Sequence, residues 1–138
     1  MASRVTDTDA RPAGSHFVLG GKSILVVEDE PLVALDVHAV LSATGASVIS
    51  AASAGEATSL IGYAEVAAAI VDVQLGNEDA AEVCRLLAER QIPFVFYTGR
   101  SGASVLFAEW PGVRVLKKPA RPADIVSALA GLFRQANR

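Results

Sequence analysis

Cysteine is almost missing from this chain: Cys84 is the only one in 138 residues. One thiol cannot close an intramolecular disulfide, and a zinc centre built from several cysteines is excluded. Placed inside an apolar stretch, Cys84 reads as a core residue rather than a nucleophile. No apolar run approaches the ~20 residues that a membrane span needs. The amino terminus lacks the basic-then-apolar pattern of a secretory signal, so the cytoplasm is the expected compartment. Basic charge is not in excess either. A formal net charge of −3 and a pI near 5.3 speak against nucleic acid or an anionic membrane as the main partner. The cluster Arg114, Lys117, Lys118 and Arg121 is too small to reverse that.

Several catalytic signatures are missing as well. Gly20-Gly21-Lys22-Ser23 has the look of the end of a phosphate loop, but His16 stands where the first glycine belongs, and the string precedes a strand instead of following one. No serine lies in a G-x-S-x-G elbow. His16 and His38 form no metal or triad arrangement, and no internal repeat or low-complexity segment occurs.

What the chain does have is apolar content, 51% against 20% charged, which suits one α/β domain with a real core. Residues 1–21 read as a flexible tail, mixing Ser, Thr, Asp, Arg, Pro and Gly without a sustained apolar period. From Lys22 onward strand and helix signals alternate. Ser23–Glu28, Ala46–Ala51, Val66–Val73, Pro93–Tyr97 and Val113–Leu116 read as five short strands. Pro31 opens a helix that Gly45 closes. Ser53 with Glu56 predicts a capping box at the head of a second. Asn77–Arg90 reads as a third helix and Asp124–Arg134 as the last. Ser101–Trp110 has limited periodicity and predicts a short or poorly formed helix. Five strands alternating with helices imply a doubly wound parallel sheet covered on both faces. The functional cleft of such a sheet lies outside the carboxyl ends of its strands.

Those ends carry the chemistry. The first strand finishes in Glu28-Asp29-Glu30, the third near Asp72, the fourth in Thr98-Gly99 and the fifth in Lys117-Lys118-Pro119. Grouped carboxylates repel one another, and oxygen-only ligands favour a hard divalent cation such as Mg²⁺. A carboxylate can itself act as the nucleophile and form an aspartyl-phosphate. A metal and one lysine would neutralise the phosphoryl oxygens, and a threonine hydroxyl could report the group's presence. Each residue alone has an ordinary explanation: a helix cap for Glu28 or Asp29, a turn for Thr98, a solvated charge for Lys118. Asp72 is different, because an unpaired carboxylate in the most apolar strand would cost several kcal/mol.

Residues 22–138 are expected to form one domain, and over about residues 22–135 the chain resembles a bacterial response-regulator receiver domain, through LVVEDE, IVDV, FYTG and LKKP in that order. The resemblance implies a flavodoxin-like (βα)5 fold with strand order 2-1-3-4-5. It implies Asp72 as phosphoacceptor, taking its phosphoryl group from the phosphohistidine of a histidine kinase or a phosphotransfer protein. It further implies Mg²⁺ held by Asp29, Asp72 and the backbone carbonyl of Gln74, with Glu28 acting through water. Thr98 becomes the switch hydroxyl and Lys118 the phosphate-pairing lysine. Gly99 and Pro119 are supporting residues, and the Lys118–Pro119 bond is commonly cis in this family. Such a domain catalyses only its own phosphorylation and dephosphorylation.

The string Pro93-Phe94-Val95-Phe96-Tyr97-Thr98-Gly99 is similar to a subgroup of single-domain and kinase-associated receivers with a P-F-x-F-x-T-G motif, whose members commonly work with histidine kinases of the HWE and related types. Val115 stands where many receivers carry an aromatic residue, so a swinging ring is not expected there. Ala120 departs in the same way after Pro119. A stand-alone domain of this kind would signal through protein contacts or by draining phosphate from a relay. The alternative expectation is a receiver-like binding module regulated without phosphorylation.

Overall fold

The computed structural model describes residues 18–99 and 105–136. Five parallel strands form one sheet: β1 (Ser23–Val27), β2 (Ser47–Ala51), β3 (Ala68–Val71), β4 (Phe94–Thr98) and β5 (Val115–Lys117). Their order across the sheet is β2-β1-β3-β4-β5. The strand and helix alternation implied a doubly wound parallel sheet, and the resemblance to receiver domains implied this 2-1-3-4-5 order. The three central strands are buried on both faces, which is why their sequences run as unbroken apolar segments.

Alternation within each strand divides the core in two. Leu25, Val27, Ala69, Val71, Phe94 and Phe96 face one way. There they meet α2 (Ala54–Tyr63) through Ala57 and Ile61, α3 (Ala81–Glu89) through Val83, Cys84 and Leu87, and α4 (Val105–Glu109) through Leu106. Ile24, Val26, Ala68, Ile70, Val95 and Tyr97 face the other way. They meet α1 (Pro31–Ser42) through Val37 and Leu41, and α5 (Pro122–Ala136) through Ile125, Ala128 and Leu129. No helix among the described residues is long and apolar enough to cross a membrane.

Several local readings are met in atomic detail. Ser53 Oγ accepts from the Glu56 amide at 3.1 Å, while Glu56 Oε1 accepts from the Ala52 amide, a reciprocal cap shifted by one residue. Gly45, at φ +88°, turns the chain after α1. Of the segment 101–110 expected to form a short helix, residues 101–104 lie outside the described residues and Val105–Glu109 is helical.

Other readings are corrected. The third helix begins at Ala81, not Asn77. Residues 74–79 instead form a two-stranded antiparallel hairpin, Gln74–Leu75 against Glu78–Asp79, turning on Gly76-Asn77. Gly76 at φ +63° occupies the first central position of that turn, a conformation that glycine adopts without penalty. The fifth strand starts at Val115 rather than Val113, and α5 starts at Pro122, where the missing proline amide is harmless. Most of the expected tail, residues 1–17, lies outside the described residues, but Leu19 within it is fully buried beside α1 and α5.

Candidate functional site

Four strand ends and one hairpin converge on a cleft of about 250 Å³ lined by Asp29, Glu30, Asp72, Gln74, Thr98 and Lys118, with Gly76 and Gly99 at its walls. β1 delivers Glu28 and Asp29 because its apolar run stops one residue earlier. β3 delivers Asp72 from its fully buried length: the Asp72 amide still bonds to Val27 O at 2.9 Å, so the sheet ladder fixes the aspartate's backbone. Carboxylate oxygens of Glu28, Asp29 and Asp72 lie within 4.8 Å of one another. Glu28 is 4% exposed and Asp72 7%.

Lys118 enters this acid cluster from the end of β5. Its Nζ lies 2.6 Å from Glu28 Oε1, 3.0 Å from Asp72 Oδ2 and 3.3 Å from Glu30 Oε1. The contact with Glu28 is the shortest of the three and joins two largely buried groups. Glu28 Oε2 accepts from the Glu30 amide. Burial dominates here and lifts the Glu28 carboxyl to about 7, against the lowering influence of Lys118 and the Glu30 amide. Burial also works against the charged form of Lys118, but its bonds to Glu28 and Asp72 outweigh that and raise its pKa. The lysine is therefore an ammonium at every physiological pH.

The donor set suits a hard divalent cation. All three clustered groups are carboxylates, and no sulfur or imidazole is among them. Gln74 lines the same cleft, and its amide donates to Asp72 Oδ1 at 3.2 Å.

Thr98 is 1% exposed at the end of β4, and its carbonyl receives the Lys118 amide at 2.8 Å. Lys117 is exposed on β5, away from the carboxylates that surround Lys118. The Lys118–Pro119 peptide is cis. Gly99 lies beside the Lys118 stem, where a Cβ would rest at an ordinary contact distance of 3.7 Å from Lys118 Cδ. Every site residue named from the sequence thus borders one cleft, apart from Glu28 just beneath it and the flanking Pro119. A larger groove, about 480 Å³ between α1 and α5, is mostly apolar and holds no carboxylate.

Sequence reasoning missed three elements. Glu30 pairs with Lys118; Tyr97 Oη accepts from the Ala120 amide at 3.2 Å; and Gly76 N–H donates to Asp29 Oδ2 at 2.9 Å. The last joins residues 47 apart in the chain, so no local pattern could have announced it. Glu30 could have been suspected, being the third acid in a row.

Comparison with known proteins gives a consistent picture. The family model for the response regulator receiver domain matches residues 24–130. The transcriptional regulatory protein GltR of Pseudomonas aeruginosa is 28% identical over 122 residues, which is 84% of this chain and 50% of GltR. The chain thus spans half the length of that curated relative. A putative response regulator from Chloroflexus aurantiacus is 27% identical, with a TM-score of 0.73 over 82% of this chain and 98% of its own. A CheY-like receiver domain protein from Methanospirillum hungatei superposes with a TM-score of 0.75 at 23% identity, over 83% and 94% of the two chains, a likeness of fold.

Proposed function

Because the chain belongs to the response regulator receiver family of two-component signalling, we propose that Asp72 is the residue phosphorylated, with the phosphoryl group arriving from a phosphohistidine of a histidine kinase, of the HWE type or another, or of a phosphotransfer protein. The observation that carries this reading is the placement of Asp72. It is a nearly buried carboxylate at the end of a fully buried strand, 3.0 Å from an ammonium and in one cluster with two further acids. A structural aspartate needs one partner; this one sits among charges of both signs at the mouth of a cleft.

In the proposed reaction an Asp72 oxygen attacks the phosphorus, the P–O bond forms as the P–N bond breaks, and the imidazole leaves and takes up a proton. When bound, Mg²⁺ would neutralise developing charge on the phosphoryl oxygens. Asp29, Asp72 and the Gln74 carbonyl would hold it, with Glu28 through water. Lys118 supplies a second positive charge, exchanging its contact with Asp72 Oδ2 for a phosphoryl oxygen. The Thr98 hydroxyl donates to the same group.

The output follows from what Thr98 is attached to. It lies on the same strand face as Phe94 and Phe96, whose rings meet Trp110 and Phe107 edge to face at centroid distances of 5.7 and 5.6 Å. A shift of Thr98 is therefore felt by the short α4, and the face around α4 and β5 would change its affinity for a target protein. Val115 is 38% exposed there and offers no ring. The reading makes the chain a signalling module that acts on no external substrate, and it assigns no nucleic-acid contact despite the name of GltR.

The test is intact-mass measurement after incubation with Mg²⁺ and a small phosphodonor. Wild type gains one phosphoryl group and Asp72→Asn gains none. A wild type that gains nothing, or an Asp72→Asn that gains as much, ends the proposal.

A further inference from the structure

We propose that the side chain of Gln74 is a positioning residue that fixes the Asp29 carboxylate for cation binding, acting through the 74–79 hairpin rather than through any contact with the cation. This rests on the reading of the acid cluster as a cation site. The hairpin is anchored at its base: Leu75 is buried in the core and the Ala80 amide bonds to Val73 O at 3.1 Å. Its tip is exposed and turns on a glycine at positive φ, and two short strands pair Gln74 with Asp79 and Leu75 with Glu78. The Gln74 side-chain amide adds a brace across that turn. Its Nε2 donates to Gly76 O at 2.9 Å and lies 3.4 Å from Glu78 O, tying the start of the hairpin to its turn and its return strand.

Two bonds carry that rigidity into the site. Gly76 N–H donates to Asp29 Oδ2 at 2.9 Å, and the Gln74 N–H donates to Asp72 Oδ1 at 3.2 Å. Each carboxylate has one oxygen fixed by a hairpin amide and the other left for a cation or Lys118. Amide donors to an ionised carboxylate are charge-assisted, so they select a single orientation of each group. Groups of this kind behind a metal ligand typically change affinity by about 10–100-fold when removed. The backbone amides stay in any variant; what Gln74 controls is whether the Gly76 amide remains aimed at Asp29. A longer-range role is unnecessary: the chain of contacts from Gln74 to Asp29 passes through one residue.

Gln74→Met keeps the length and removes the donors. The expected result is a Mg²⁺ Kd weakened about tenfold, read by amide chemical shifts. The Gly76 amide resonance should move upfield and the urea midpoint should barely change, because the side chain is not in the core. A purely structural role would lower the midpoint and leave Kd and the Gly76 resonance alone, which would overturn the proposal. A Kd unchanged from wild type would do the same. A second measurement needs no variant: hydrogen exchange of the wild-type Gly76 amide should slow when Mg²⁺ is added, and acceleration would mean that the cation displaces this bond. If wild type shows no Mg²⁺-dependent shift at Asp29, the cation-site reading itself fails. If wild type binds and Gln74→Met binds equally, only the role of Gln74 fails.

Discussion

At the amino-terminal edge of the sheet, Leu19 is sealed in one cluster with Leu41 and Leu129, the Gly21 amide bonds to Gly45 O, and Arg90 Nη1 closes the end of α2 on Ile61 O. At the carboxyl edge, Glu28 is buried, and three acids, Glu28, Glu30 and Asp72, pair with one lysine. The helix starts all lie at the carboxyl edge and are not alike: α2 has its Ser53 cap, whereas α1 and α3 have no side-chain hydrogen bond from their N-cap residues Glu30 and Ala80. One edge is arranged for stability and the other for charge chemistry. Glu30, at the N-cap of α1, is paired with Lys118.

Substitutions can break or sharpen this division. Leu19→Ala should cost about 2–5 kcal/mol in urea unfolding, as a fully buried leucine at the stable edge, and leave Mg²⁺ affinity unchanged. A loss of metal binding in that variant would mean that the edges are coupled.

Glu28→Gln should have the opposite sign. Glu28 is held near 7 in the fold against 4.5 in the unfolded chain, so its stabilising contribution is full below pH 4.5 and is lost as pH rises through about 7. In metal-free protein Glu28→Gln should match wild type near pH 4 and exceed it above pH 7 by up to about 3 kcal/mol. Equal pH profiles for the two proteins would show that Lys118 already compensates the charge.

Ser53→Ala probes the ordinary part of the carboxyl edge and should lose about 1 kcal/mol at any pH, with phosphorylation intact. The smallest effect belongs to Gln91, which follows α3 at φ +59°. Gln91→Gly should gain about 0.5 kcal/mol, the left-handed penalty relieved less the added freedom of the unfolded chain. A loss instead would mean that the side chain makes contacts worth more than the strain.

How much of this was legible in the sequence differs between the same two edges. The strands announced themselves because β1, β3 and β4 are buried on both sides and so must be apolar throughout. Their ends announced the site, since Asp72 and Thr98 break those runs with polar groups that remain buried. The hairpin at 74–79 did not, because two-residue strands have no periodicity to read and Gly76-Asn77 also suits a helix start. Leu19 was missed because Gly20-Gly21 cut the apolar run after Val18-Leu19 short, and its role depends on α1 and α5 closing over it. The pairing of Gly76 with Asp29 depends on the sheet bringing β1 beside β3. What was lost was whatever needed tertiary neighbours to acquire meaning.

Lys118 also bears on how this protein can fold at all. Its ammonium is a tethered counterion, delivered to the acids by the chain itself at an effective concentration that free monovalent salt does not reach. The cluster is therefore partly neutralised from the moment β5 docks, and folding need not wait for a divalent ion. Any cation that later enters finds carboxylates already gathered by an internal substitute that can move aside.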